Sequence, residues 1–255
     1  MVTVKSLLLG MCFVLGACTS QTSTVQTTEK GTQWEWQNGT IVVKTPERPA
    51  GQKSVLGLTT PKLEAVRVGF VGLGMRGPGA VERFTYIPGT QVVALCDYEE
   101  ARADKCQELL KKASMPKAAV YSGDKGYEEL CKRDDIDLVY IAADWLHHFP
   151  VAKCALENGK NEAIEVPSAM NLQECWDLIN LSESTRKHCF ILENFCYDWF
   201  EMNTLNIAQH GVFGEVIRAQ GAYIHILSPF WDHYWKNGEN DKLGWRLDYN
   251  MKRRG

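Results

Sequence analysis

Gly72, Gly74 and Gly77 stand at Gly-x-Gly-x-x-Gly spacing in the stretch VRVGFVGLGMRGPGAV, residues 66–81. Glycines so spaced let a backbone come close to a pyrophosphate, and a helix opening behind them offers amide donors and positive potential to an anion. Asp97 follows, about twenty residues beyond Gly77, where an acid accepts bonds from the adenosine ribose hydroxyls. Together these residues predict a dinucleotide site. The competing interpretation is a glycine turn with no ligand. An acid at Asp97 favours NAD over NADP, because a 2′-phosphate would meet a like charge; Arg76 weakens that preference slightly.

Other chemistries find less support. His147 and His148 are adjacent and cannot easily share one metal, and there is no HExxH element and no CxxC pair. Nine cysteines are present, but Cys12 and Cys18 belong to an apolar start. The remaining odd number, among them Cys96, Cys154 and Cys189, reads as buried free thiols rather than a disulfide framework. The formal net charge is −3, with no basic run, so nucleic acid is a poor partner. Four of the eight tryptophans lie after residue 198, which suits either a carbohydrate pocket or ordinary core packing.

The glycine pattern carries meaning only between a strand and a helix, so the elements around it matter. VRVGFVG is a short apolar run with β-branched residues, as expected of a buried parallel strand. A helix is predicted from about Arg76. QVVALCD, AAVYS, IDLVYIAA, EAIEV and HCFILEN read as five further strands. Between them EEARADKCQELLKK, YEELCKR, FPVAKCALENG and NLQECWDLINLSEST read as helices. The last has Asn171 as N-cap and Glu174 three residues on, a capping box. Six strands with intervening helices predict an α/β fold, a doubly wound parallel sheet of Rossmann type.

The N-terminus reads differently. LLLGMCFVLGA is too short to span a membrane as a stable helix, and it ends in LGAC, Leu15 to Cys18. That element is similar to a bacterial lipobox, in which the cysteine is lipidated; an ordinary signal peptide is the alternative. Residues 1–18 are thus expected to be a leader, anchoring the protein by lipid at Cys18 in the periplasm or at the outer membrane. Residues 19–61 are expected to be a polar Ser/Thr-rich tether followed by an arm against the main domain, with TIVVK as one short strand. Residues 62–194 form the dinucleotide-binding domain, and 195–255 begin a substrate domain.

From about residue 60 onward the chain resembles the glucose–fructose oxidoreductase and inositol dehydrogenase superfamily. Within it GLGMRG, WLHH, EVP, ENFCY, GVFGEV and GAYIH resemble glycoside hydrolase family 109. The resemblance implies an NAD-dependent α-N-acetylgalactosaminidase acting on terminal N-acetylgalactosamine of glycans. The implied reaction oxidises C3 of the sugar transiently. C2 then loses a proton, the C1 substituent leaves, water adds at C1, and the hydride returns, so the net change is hydrolysis. Superfamily dehydrogenases carry Glu-Lys-Pro where this chain has Glu165-Val166-Pro167, and valine cannot do general acid–base work.

Carried over by residue, the resemblance assigns Met75, Arg76, Asp97, Trp145, Leu146, His147, His148, Glu165, Val166 and Asn194 to the cofactor site. It assigns Tyr223 and Arg246 to the substrate, and ties Glu193 and Tyr223 to catalysis. Tyr223 could instead be an ordinary strand tyrosine and Arg246 a surface ion pair. AADWLHH departs from the family's Thr-Pro or Ser-Pro before the tryptophan, and Asp144 brings a charge toward the nicotinamide side. EVIRAQGAYIHI reads as the first long strand of the substrate domain. After MKRRG the family continues into a Tyr-Pro-Thr-His segment, so the resemblance implies an incomplete α/β substrate domain. Two other functions stay open: a net sugar oxidoreductase, and a non-catalytic NAD-binding remnant.

Overall fold

The computed structural model describes residues 26–27, 33–44, 47–222, 224, 226 and 249. The chain divides into two compact units, 1–194 and 195–255.

The first unit holds two sheets. The smaller contains β1 (Gln26–Thr27), β2 (Gln33–Gln37) and β3 (Thr40–Val43), all antiparallel. Asn38 and Gly39 both have positive φ, 50° and 78°, and close a two-residue hairpin between Gln37 and Thr40. That geometry matches the right-handed twist of the flanking strands, and Asn-Gly is its preferred sequence. β1 falls in the segment expected to be a structureless tether. Strand pairing uses backbone groups, so a polar stretch can join an exposed edge without an apolar period.

The larger sheet is the doubly wound parallel sheet expected from the sequence. Its strands are β4 (Val66–Val71), β5 (Thr90–Asp97), β6 (Ala119–Ser122), β7 (Leu138–Ile141), β8 (Asn161–Glu165) and β9 (Cys189–Leu192). They lie in the order β6-β5-β4-β7-β8-β9, every pair parallel. The helices between them are α1 (Gly77–Phe84), α2 (Glu100–Lys112), α3 (Gly126–Cys131), α4 (Trp145–Glu157) and α5 (Leu172–Thr185).

Alternation along the strands feeds two cores. Val68, Phe70 and Leu95 pack with Ala80, Val81, Ala103 and Leu110 of α1 and α2. Val71, Ala94, Val139, Ile141 and Ile164 pack with Leu130, Val151, Ala155 and Leu178 of α3, α4 and α5. Both faces of the sheet are therefore covered, which is why its strands read as near-continuous apolar runs. At the amino edge Arg67 pins β4 to the start of β7: its Nε and Nη2 donate to the two Asp137 carboxylate oxygens at 2.9 and 2.7 Å. This fork holds Asp137 below the usual carboxylate range.

α4 starts earlier than expected. The sequence suggested a helix from Phe149, because proline favours a first turn. Instead Asp144 caps it, and Pro150 lies inside. Asn171 caps α5 as predicted, accepting from Glu174 N at 3.0 Å. The reciprocal bond differs from the expected box: Glu174 Oε2 accepts from Met170 N, one residue before the cap, at 2.6 Å. Residues 47–54 run across α5. Arg48 pairs with Glu183 and lies over the Trp176 ring at 5.8 Å, and Gln52 Nε2 donates to Asn180 O at 3.0 Å.

In the second unit α6 (Trp199–Gln209) is followed by turns through Phe213. The strand expected over 215–226 is not formed among the described residues, and Ile217 is 93% exposed. A strand exists by its ladder, and no neighbour pairs with 216–222 among the described residues.

Candidate functional site

Because the strands of the large sheet are all parallel, the residues following them meet at one edge. The strand order reverses between β4 and β7, and α/β folds bind ligands outside the carboxyl ends at such a point. Val71 leads into Gly72 there, and Ile141 into Ala142–Asp144.

The three glycines do different work. Gly72 has φ 91°, and a Cβ on it would overlap the backbone of Ala142 and Ala143. A Cβ on Gly77 would overlap the Gly72 carbonyl. These two allow the strand, the loop and α1 to close-pack. Gly74 is different: the nearest atom to a Cβ there is Arg102 Nη1, at 3.7 Å. No backbone crowds this side, where a pyrophosphate would need to approach. Behind it α1 has no acidic residue in its first turn and no side-chain cap, so its leading amides, apart from Pro78 which has no N–H, are left for an anion. Met75 and Arg76 are exposed beside this loop, and Gly77 is buried. The residues present fit a bound dinucleotide.

Asp97 ends β5 with only 5% exposure. Its Oδ2 accepts from Leu73 N at 2.6 Å, and Oδ1 accepts from Glu99 N at 2.9 Å and from Arg102 Nη1 at 3.3 Å. The acid thus holds the glycine loop while keeping acceptor capacity for a further donor. Cys96 beside it is no nucleophile, since burial and then the Asp97 charge push its thiol up to about 12.

The next group comes from the start of α4. Asp144 Oδ1 accepts from Leu146 N at 2.9 Å and His147 N at 3.3 Å, and Oδ2 lies 2.7 Å from His147 Nδ1. The charge that departs from the family pattern is therefore used in capping the helix and pairing with a histidine. The bond to Asp144 lifts His147 above its ordinary range, against partial burial, with Asp124 Oδ1 adding its charge at 3.5 Å from Nε2. Trp145 opens the helix and Leu146 is 63% exposed. His148 is buried, with Nδ1 2.7 Å from Pro167 O and Nε2 2.9 Å from Ala143 O. It ties the loop after β7 to the loop after β8.

Glu165 ends β8 and Val166 opens that second loop, both half-buried, before a cis Pro167. Tyr140 donates its hydroxyl to Glu165 Oε1 at 3.0 Å. Burial and then the Glu165 charge push the phenol up to about 12, so it remains a donor. Tyr140 was missed in sequence, where it reads only as a strand residue. Glu193 and Asn194 follow β9, both exposed, and Glu193 Oε1 accepts from Asn194 N at 3.1 Å.

The sheet edge thus carries Gly72, Gly74, Gly77, Asp97, Trp145, His147, Glu165, Val166, Glu193 and Asn194 on the last residues of five strands or the segments that follow them. Tyr223, Arg246 and Cys18 lie outside the described residues. Among the described residues no group of three or more His, Cys, Asp or Glu side chains could hold a metal ion, and no helix is long and apolar enough to cross a membrane. The described cysteines carry no disulfide; Cys96, Cys106 and Cys131 are buried, whereas Cys175 and Cys196 are exposed.

Comparison with known proteins agrees with this geometry. The family described as "Oxidoreductase family, NAD-binding Rossmann fold" matches residues 66–193. Glycosyl hydrolase family 109 protein 5 of Phocaeicola vulgatus is 82% identical over 255 residues, covering 99% of this chain and 49% of that protein. Glycosyl hydrolase family 109 protein 1 of Bacteroides thetaiotaomicron is 56% identical, covering 98% of this chain and 51% of that protein. The chain spans about half the length of the curated relatives it matches. Among solved structures, myo-inositol dehydrogenase from Lactobacillus casei in complex with NAD(H) and myo-inositol is 24% identical with a TM-score of 0.51, covering 60% of this chain and 43% of that one. GenD2 from gentamicin A biosynthesis, in complex with NAD, is 20% identical with a TM-score of 0.51, covering 60% of this chain and 43% of that one. At those identities the two structures establish the fold alone. The chain belongs to the oxidoreductase family with the NAD-binding Rossmann fold, and over nearly its own whole length it is similar to proteins named glycosyl hydrolase family 109.

Proposed function

We propose that the protein is a glycosidase hydrolysing terminal α-N-acetylgalactosaminides, with NAD as a cofactor restored in every turnover. The observation that carries this reading is the 82% identity, over 99% of this chain and 49% of the relative, to a glycosyl hydrolase family 109 protein. NAD bound at the sheet edge would supply a reversible hydride acceptor for C3 of the sugar, acidifying the C2 proton. The chain's own residues then have definable roles. The space at Gly74 and the amides of α1 receive the pyrophosphate. Asp97 takes the adenosine ribose, and Glu165, held by Tyr140, borders the nicotinamide side. Val166 moves no proton, which suits a hydrolase better than a net dehydrogenase. Glu193 serves the proton transfers from the end of β9, and Tyr223 and Arg246 hold the sugar.

Two measurements test this. By isothermal titration, Asp97→Ala is expected to weaken NAD binding by about 1–3 kcal/mol; equal affinity of both proteins overturns the site. An aryl α-N-acetylgalactosaminide with NAD⁺ is then given to this chain and to a form extended to the relatives' length. The extended form should release the aryl group without net NADH. Accumulating NADH instead identifies a sugar oxidoreductase, and NAD binding with neither product identifies a non-catalytic binding unit.

We also propose that Cys18 ends a lipoprotein leader and that the protein is exported and membrane-anchored. Cys18→Ser should move it from the membrane to the soluble fraction. Unchanged fractionation, with no acyl mass on the mature N-terminus, rules this out.

A further inference from the structure

Three charged side chains share the carboxyl end of β5. Arg102, in the first turn of α2, reaches back with both arms of its guanidinium. Nη1 lies 3.3 Å from Asp97 Oδ1, and Nη2 lies 2.9 Å from Glu99 Oε1. The same Nη1 is the atom nearest to the open side of Gly74. Arg102 therefore borders both Asp97 and the open side of Gly74. Its side chain is 42% exposed, while that of Asp97 is 5% exposed and that of Glu99 57%.

A planar guanidinium with a second arm available matches a phosphate in two-point fashion. Placed beside the ribose, it is the natural receptor for a 2′-phosphate. Here that receptor is already engaged. Two carboxylates face one guanidinium, so the cluster carries net negative charge where a 2′-phosphate would arrive. Asp97 cannot easily be the adjustable member, because its carboxylate also holds Leu73 N and Glu99 N inside the fold. Glu99 is adjustable: it is exposed, and its carboxylate pairs with Arg102.

We propose that Glu99 is the residue that sets the choice of NAD over NADP, by occupying the arm of Arg102 that would otherwise bind a 2′-phosphate. This rests on the reading that Asp97 faces the adenosine ribose. Glu99 acts through Arg102 and is a positioning residue, so the informative readout is the ratio of the two cofactor affinities rather than stability. Glu100 provides the control. It is exposed one position further on, while Arg102 pairs with Asp97 and Glu99, so Glu100→Ala removes the same charge without releasing the guanidinium.

NAD⁺ and NADP⁺ are titrated calorimetrically into wild type, Glu99→Ala, Glu100→Ala and the double variant Glu99→Ala/Arg102→Ala. Glu99→Ala, which removes both the charge and the acceptor, is expected to tighten NADP⁺ about tenfold while leaving NAD⁺ within about twofold, which also shows that the variant is folded. Glu100→Ala should change the ratio by less than about twofold, and the double variant should lose the gain. An unchanged ratio in Glu99→Ala, an equal shift in Glu100→Ala, or a gain that survives loss of Arg102 each overturns the proposal. Because Glu99→Ala is compared with Asp97→Ala, the two readings separate: if Asp97→Ala binds NAD⁺ as wild type does, the ribose assignment fails and the proposal with it.

Discussion

Gly74 and Gly77 belong to one glycine pattern yet should respond oppositely to a side chain. A Cβ at Gly77 overlaps the Gly72 carbonyl, and the backbone there cannot yield cheaply. Gly77→Ala is therefore expected to destabilise the fold by about 1–3 kcal/mol, the usual cost of overpacking. A Cβ at Gly74 meets only the flexible end of Arg102, at an ordinary contact distance of 3.7 Å. Gly74→Val should keep near-native stability yet lose NAD binding, because the branched side chain fills the pyrophosphate's approach. Urea midpoints and titration calorimetry on the pair test this; a stable Gly74→Val protein that still binds NAD would remove Gly74 from the site. Away from this edge, Glu162 is the residue out of balance. It is fully buried in β8, and among the described residues neither carboxylate oxygen has a well-formed hydrogen bond; the nearby Cys189 thiol, a weak donor, favours its charge only slightly. Burial pushes its carboxyl up to about 7. An acid with a raised folded pKa holds a proton that the unfolded chain has already released, so stability declines from about pH 4.5 and levels off above about pH 7. Glu162→Gln should flatten that decline, gaining about 1–3 kcal/mol at pH 8 relative to its effect at pH 4. Equal urea midpoints for both proteins across that range would show that Glu162 does not titrate on unfolding.

At the scale of elements, the sequence was most readable where the sheet is buried on both faces. Apolar runs such as VRVGFV and LVYI announce parallel strands because helices cover both sides of them. The order of the strands had no such signal, since neighbours are chosen by crossover packing rather than by local pattern. Helix starts were readable when the cap was the dominant local feature, as at Asn171. The start of α4 was not, because Pro150 mimics a first turn while Asp144 does the capping. The Asn38-Gly39 hairpin was written plainly but read as part of an irregular arm. Of the site, the glycines and Asp97 could be found from spacing. Arg102, Glu99 and Tyr140 could not, because their contacts arise only when α2 folds back on β5 and β7 pairs with β8. The α5 cap yields a prediction at this scale. Asn171→Ala should cost about 1 kcal/mol, whereas Glu174→Ala, which removes only the bond to Met170 N, should cost no more than that. The check is a fall in urea midpoint at constant slope; an unchanged midpoint in Asn171→Ala would mean that Glu174 alone fixes the start of α5.

At the scale of the whole molecule, the site belongs to no single element. The glycine loop follows β4, Asp97 ends β5, Asp144 and His147 follow β7, Glu165 ends β8, and Glu193 follows β9. Parallel pairing alone brings these positions to one edge, and unfolding disperses all of them. A ligand that needs several of them at once binds the folded state and not the unfolded chain, so it must raise stability by mass action. At one hundred times its dissociation constant, NAD should add about 2.7 kcal/mol. For a domain of this size that corresponds to a rise in Tm of about 5–10 °C. The increment should grow logarithmically with NAD concentration, and adenosine alone should give a smaller one, because it leaves the pyrophosphate loop empty. Thermal melts followed by circular dichroism across a concentration series measure both effects. A Tm indifferent to saturating NAD would mean that the edge, although folded into the right geometry, does not take the cofactor. A rise equalled by adenosine would instead place the binding energy at Asp97 and leave the amides of α1 without a phosphate.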